Sequence, residues 1–242
     1  MSAWTQKGLL EPRDLEALRA KLLPLMTRDL GKAEDDSIFG RSFAALYLSI
    51  IAASDLETKS FSERALAEMV DVAERCLREE NNLRGYVPRK GWAHATAHVA
   101  DLLKFVARNP QLDTNQRASI VLAVAQRLRT EDMVFSWGED SRLAATLLAV
   151  ANRADLDASI FKQWFSELKT ENKALWQKLD IDPERFISVR NQANTLEHLA
   201  ARIARQKTEQ RFACSARRTQ HYARGSRSVE MQSLVGSSLT ES

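Results

Sequence analysis

Glycine and proline are scarce, at eight and five in 242 residues, too few for the turn-rich sequence of an all-β protein. The two cysteines, Cys76 and Cys214, supply neither a disulfide framework nor a Cys-x-x-Cys pair. No apolar run approaches the roughly 20 residues that a bilayer-spanning helix needs. The N-terminus lacks a charged segment leading into an apolar one, so no secretory signal is expected and a reducing cytoplasm is the expected setting. Walker-type glycine loops, dinucleotide fingerprints and nucleophile elbows are missing as well. That removes the best-marked nucleotide-binding and hydrolase classes.

A strong charge of one sign is also lacking. Residues 206–242 carry six basic residues against three acids, whereas 1–205 carry 29 of each, so the net charge of +3 comes from the C-terminal stretch. A clustered basic face, the footprint of nucleic-acid binding, is not expected on the body. No nucleic-acid or membrane partner is therefore expected.

What is present is helical patterning. Apolar residues recur at a 3.6-residue period through most of the chain, and no convincing alternating strand interrupts them. The expected helices cover about 12–30, 37–54, 60–80, 90–108, 113–130, 138–153, 158–170 and 183–205. Asp113-Thr114 caps the fifth, Asn109-Pro110 ends the fourth, and Asp182-Pro183 opens the last. Short loops imply antiparallel neighbours. Three segments, "FGRSFAALYLSIIAA" (39–53), "WAHATAHVADLLKFV" (92–106) and "WGEDSRLAATLLAVA" (137–151), each begin with an aromatic residue and polar first-turn residues. Their offsets of 53 and 45 residues are near the two-helix unit of HEAT and armadillo arrays. The fold expected is all-α: stacked antiparallel helical hairpins forming a HEAT/armadillo-like α-solenoid over 1–205, with a compact bundle as the alternative. The Ser- and Arg-rich stretch 206–242 has no sustained periodicity and reads as a poorly structured tail or as an aberrant, frame-shifted end.

The chemistry-bearing residues collect in "RKGWAHATAHVADLL" (89–103). On a helix over 91–107, Trp92, Val99, Leu103 and Val106 fall within about 60° and form a core stripe. His94, His98 and Asp101 form a second stripe flanking it. Imidazoles at i and i+4 can share one ion, with Asp101 as third ligand or as orienter. Ala95 stands where a His-Glu-x-x-His helix keeps its general base, so a zincin is excluded. The repeat alignment sets Glu139 against His94. Asp140 points toward packed surface and wants a partner among Arg142, His94, His98 and Arg84. His198, on the last helix, reads as incidental. Cys76 reads as a small core residue. Upstream, "LRGYVPRKGW" (83–92) is a shaped loop bringing Arg84, Tyr86 and Trp92 to the helix start, where Arg84, Arg89 and Lys90 could hold a carboxylate or phosphate.

The segments "DSIFGRSFAALYLS", "LRGYVPRKGWAHATAHVADLL" and "FSWGEDSRLA", in that order, resemble the bacterial family catalogued as domain of unknown function 2785. Gly-Trp-Ala-His-x-x-x-His-x-x-Asp is the most specific part, and the resemblance covers roughly 10–205. It implies an all-helical cytoplasmic protein in which Arg84, Gly85, Trp92, His94, His98, Asp101, Glu139, Asp140 and Arg142 form a family signature. It implies no activity.

Two functions follow as expectations. The first is a binding module whose groove, lined by Arg84, Tyr86, Trp92, His94, His98, Asp101, Glu139, Asp140 and Arg142, takes a small anionic ligand or a peptide or protein partner. The alternative is a metal-dependent or acid-base hydrolase. In it a divalent metal would sit on His94, His98 and Asp101, and Glu139 or Asp140 would complete the site.

Overall fold

The structure, a computed structural model, describes residues 11–236 apart from 34, 131, 178 and 179, with side chains described to residue 209. Eight α-helices are found among the described residues. They are α1 (Pro12–Leu22), α2 (Ser37–Thr58), α3 (Glu63–Glu79), α4 (Ala95–Val106), α5 (Thr114–Leu128), α6 (Glu139–Ala151), α7 (Ser159–Trp176) and α8 (Pro183–Gly236). A 3₁₀ turn, Leu23–Thr27, follows α1, with Pro24 in its first turn. The protein is thus all-α, as its sequence indicates. The chain divides into two units, Met1–Leu199 and Ala200–Ser242. Most of the stretch read as a tail, 206–242, lies outside the residues whose side chains are described.

The local reasons for these helices are direct. The Ser62 hydroxyl accepts from the Ala65 N–H at 3.2 Å and caps α3. Asp113 and Gln116 form a reciprocal capping box at α5, each side chain satisfying the other's backbone N–H. In the first unit α2, α4 and α6 lie in one layer with α4 in the middle, while α3 packs on α5 and α5 on α7. All residues from Ala95 to Leu103 are buried. Four alanines, at 93, 95, 97 and 100, leave the space that lets neighbouring backbones close on this helix.

Two buried polar clusters tie the helices together. The Arg41 guanidinium meets the Glu80 carboxylate through two bonds of 2.7 and 3.0 Å, and also donates to Arg28 O, Asp29 O and Ser37 Oγ. The Asp55 carboxylate accepts from the N–H groups of Ser60 and Phe61 at 2.6 and 2.8 Å, and from Asn109 Nδ2 at 2.8 Å. Cys76 is buried beside the Arg41–Glu80 pair, and burial pushes its thiol pKa up to about 12.

Three expectations need correction. α2 is long and apolar enough, by length and composition, to cross a membrane, with a mean hydropathy of 1.4 over its most apolar window. Half of that window is buried within the protein, and its Arg41 and Asp55 are bonded there. The expected helix over 90–108 starts later, at Ala95. Before it stands a short hairpin, β1 (Tyr86–Val87) and β2 (Gly91–Trp92), in the register Tyr86↔Trp92 and Val87↔Gly91. Its turn, Pro88-Arg89-Lys90, places Arg89 at φ 65° and leads into Gly91 at φ 95°, a reversal that no continuing helix could make. Finally, Trp92 leaves the core stripe: it lies on β2 and is 44% exposed, whereas Val99, Leu103 and Val106 are buried as expected.

Candidate functional site

The hairpin, the start of α4 and the start of α6 bring the signature residues together. The backbone N–H groups of Ala93 and His94 donate to Gly85 O and Arg84 O at 2.8 and 2.9 Å, extending the hairpin ladder to the first residue before α4. His94 is the N-cap of that helix, and it sits in the left-handed region at φ 44°, ψ 35°. For a residue with a Cβ this conformation is costly and needs the surroundings to hold it. Its carbonyl still accepts from the His98 N–H at 3.2 Å. The two rings therefore do not stack as an ordinary i, i+4 pair. They meet edge-on, 5.6 Å apart at 63°.

Each ring has its own anchor. His98 Nδ1 lies 2.7 Å from Ser42 Oγ and 3.2 Å from Ser42 O on α2. Because the carbonyl only accepts, the proton belongs on Nδ1. Phe43 closes on the same ring edge-on, with centroids 5.9 Å apart. His94 Nε2 stands 3.5 Å from Glu139 Oε1 on α6. That Nε2 is buried and has no hydrogen-bond partner among the described residues. Glu139 is held from its other oxygen, Oε2, which accepts from the Trp137 N–H at 2.9 Å. Gly138, at φ 89°, makes the turn that allows this.

Burial works against the charged form of His94, His98 and Glu139. Burial first, then His98 and Arg142, depress the His94 pKa to about 4. Burial likewise lowers that of His98, against the opposing effects of the Ser42 backbone and Asp101. Burial raises the Glu139 pKa, and Asp140 adds to the rise against two backbone hydrogen bonds. Over the pair lie three exposed aromatic rings. Trp92 is 5.1 Å from the His94 ring, 5.7 Å from Trp137 and 5.4 Å from Tyr86, meeting the last two nearly perpendicularly. Trp137 itself packs on Gly85, where an added Cβ would come within 2.1 Å of the indole.

The remaining signature residues go elsewhere. Asp101 is taken up by Lys104, at 2.7 Å, and by Arg142. It does not turn to the imidazoles, and among the described residues no group of three or more His, Cys, Asp or Glu side chains is placed to hold a metal ion. The metal arrangement of His94, His98 and Asp101 is therefore not assembled here. Asp140 Oδ2 faces His198 Nε2 at 3.5 Å, so His198 is the partner that the sequence reading set aside as incidental. Arg84 points away from the site, donating to Asn82 Oδ1 at 2.9 Å and to Asp35 O at 2.8 Å, with Asp36 nearby. Lys90 is bonded to Asp36. Arg84 and Lys90, two of the three cations that suggested an anionic ligand, are thus already engaged, and the group facing His94 is a carboxylate instead. Arg41, aligned with His94 and Glu139 by the repeat, is buried on Glu80.

Three contributors escaped the sequence reading: Trp137, Ser42 and Phe43. Trp137 had a signal, since it opens the third repeat segment as Trp92 opens the second. On the far side of Gly85 and Trp137 lies a groove of about 530 Å³, lined in part by Asn82, Arg84, Tyr86, Pro88, Asp132 and Met133. The family model described as Protein of unknown function (DUF2785) matches residues 26–201. No curated protein and no solved structure matches the chain.

Proposed function

The chain belongs to the DUF2785 family, and from the geometry of its histidine site we propose that it is a binding module. In this reading the first unit is a HEAT-like α-solenoid of stacked antiparallel hairpins. It is supported by the side-by-side packing of α2, α4 and α6 and by the parallel succession of α3, α5 and α7. The ligand, a peptide segment or a small molecule, is met by Tyr86, Trp92 and Trp137 and is read by His94 and Glu139 beneath them.

One observation carries this reading: a buried imidazole nitrogen without a hydrogen-bond partner among the described residues stands 3.5 Å from a buried carboxylate oxygen, beside indoles that are about half exposed. Buried polar groups are ordinarily bonded. A nitrogen left unbonded beside exposed aromatic surface is suited to a ligand that completes it. Arg84 and Lys90 are bonded to Asp35 and Asp36, so they do not support an anionic ligand.

The test is selection of displayed peptides on the full chain, followed by titration against Trp92→Ala. Binders that lose affinity by roughly a hundredfold, the scale of a buried aromatic anchor, support the reading. Binders indifferent to Trp92 and Trp137 would sink it. The same His94–Glu139 pair also favours a second reading, an acid-base hydrolase, because both groups are poised to exchange a proton. Turnover of an ester or amide panel that is abolished in His94→Asn would select it over simple binding.

A further inference from the structure

We propose that the site beneath Trp92 takes a primary ammonium group, held between His94 Nε2 and Glu139 Oε1. This rests on the ligand-binding reading above and gives it a chemical class.

His94 Nε2 is buried and has no hydrogen-bond partner among the described residues. In the neutral tautomer protonated on Nδ1, Nε2 presents a lone pair. Glu139 presents a carboxylate oxygen, its other oxygen being bonded to the Trp137 N–H. With the proton on Nδ1 and Glu139 ionised, two acceptors face each other at 3.5 Å, and a single bridging donor satisfies both. What fits is a donor. One nitrogen can reach both atoms, because each hydrogen bond spans about 2.9 Å.

The identity of the donor follows from charge and surroundings. A hydroxyl brings one proton, whereas an ammonium brings three and matches the carboxylate's charge. The indole faces of Trp92 and Trp137 attract a cation and shelter the alkyl chain that carries it. Competition from inside the protein is weak: Arg142 and Lys104 are bonded to Asp101. Asp140, the next residue on α6, adds negative charge to the same helix start. Trp137 is wedged on Gly85, and Trp92 lies on the His94 ring at 5.1 Å, so both indoles adjoin the pair. The left-handed backbone at His94 holds Nε2 toward Glu139 rather than along the helix, a strained setting of the kind found at binding sites.

Isothermal titration of the full chain with n-butylammonium, n-butanol and butyrate tests the proposal. One saturable site for butylammonium is expected, weakened by roughly tenfold or more in Glu139→Gln, the loss for one charge-assisted hydrogen bond. Equal binding of butanol or butyrate, or an unchanged affinity in Glu139→Gln, would overturn it. The wild-type chain alone gives a second test that needs no variant. Nα-acetyl-lysine amide should bind, and its Nε-acetylated form should not; equal binding of the two also overturns the proposal. Comparing Nα-acetyl-lysine amide with alanine amide and butylammonium separates a lysine side chain, a chain terminus and a free amine as the source. Selected peptides that depend on Trp92 while no ammonium compound binds would remove the ammonium class and leave the binding module standing. Failure of both assays removes both.

Discussion

The Trp137 indole occupies the place where Gly85 would carry a side chain: a Cβ there would lie 2.1 Å from the ring. Gly85 is therefore required by close approach rather than by backbone conformation. Gly85→Ala is expected to expel the indole and to destabilise the protein by about 1–3 kcal/mol, the usual range for overpacking. Urea unfolding gives the energy. A red-shifted tryptophan emission would report Trp137 moving into water, and an unshifted spectrum would contradict the packing described.

The acid limb of stability should depend on His94. Its folded-state pKa, about 4, lies below the ordinary 6.5, so the unfolded chain binds the extra proton as pH falls between those values. Its contribution is fully present above about 6.5 and is lost progressively toward 4, amounting to roughly 3 kcal/mol at 1.36 kcal/mol per pKa unit. Unfolding free energies measured across this window should fall in the wild type and flatten in His94→Gln.

Glu139 works in the opposite direction. Its pKa is raised in the folded protein, so its favourable contribution is present below the unfolded value of 4.5 and is lost as pH rises through the folded value. At pH 8, Glu139→Gln should be as stable as the wild type or more so, because a buried carboxylate with no cation paired to it has been removed while the amide oxygen can still accept from the Trp137 N–H. A large loss of stability at that pH would mean the carboxylate is already satisfied within the fold. A site that becomes sturdier when its charge is deleted bears the cost of an unfilled role.

Arg41 and Glu80 are the opposite case, a pair closed entirely within the protein. Arg41→Ala leaves the Glu80 carboxylate buried with the Asn82 N–H, at 3.0 Å, as its remaining bonded partner, and a loss of about 3–5 kcal/mol is expected. The double replacement Arg41→Met with Glu80→Leu should recover most of it. Chemical denaturation of the two single variants and the double variant measures the coupling. Strict additivity would show that the pair is not one unit.

Arg142 provides a contrast in magnitude. Its side chain is nearly half exposed, and Asp101 keeps Lys104 if it is removed. Arg142→Ala should cost less than about 1 kcal/mol by the same denaturation assay.

The helices were legible because the 3.6-residue period and the caps agree. Each of the eight expected segments overlaps a helix, and the Asp113 cap stands where the residue types predicted. The hairpin was not legible, because two-residue strands carry no alternation to detect. Pro88 and Gly91 are its trace in the sequence, and they suit a loop leading into a longer helix equally well. A helical wheel drawn through residues 91–94 put Trp92 in the core and set His94 in line with His98, while the chain turns left-handed at His94 and redirects its ring. The pairing of His94 with Glu139 was legible from the segment alignment, since both residues open their helices and α4 packs on α6. The pairing of Asp140 with His198 was not, because α8 lies outside the repeat and no local pattern links the two residues.

The carboxylate of Asp55 also sets a timescale. By taking the Ser60 and Phe61 N–H groups while anchored to Asn109 on the next hairpin, it gives a surface connection the protection of a helix interior. In deuterated solvent those two amides should exchange with the slow core rather than with the loops, opening only when α2 and the end of α4 separate. The α2–α3 corner and the Asn109 turn would then come apart together, as one cooperative unit rather than two.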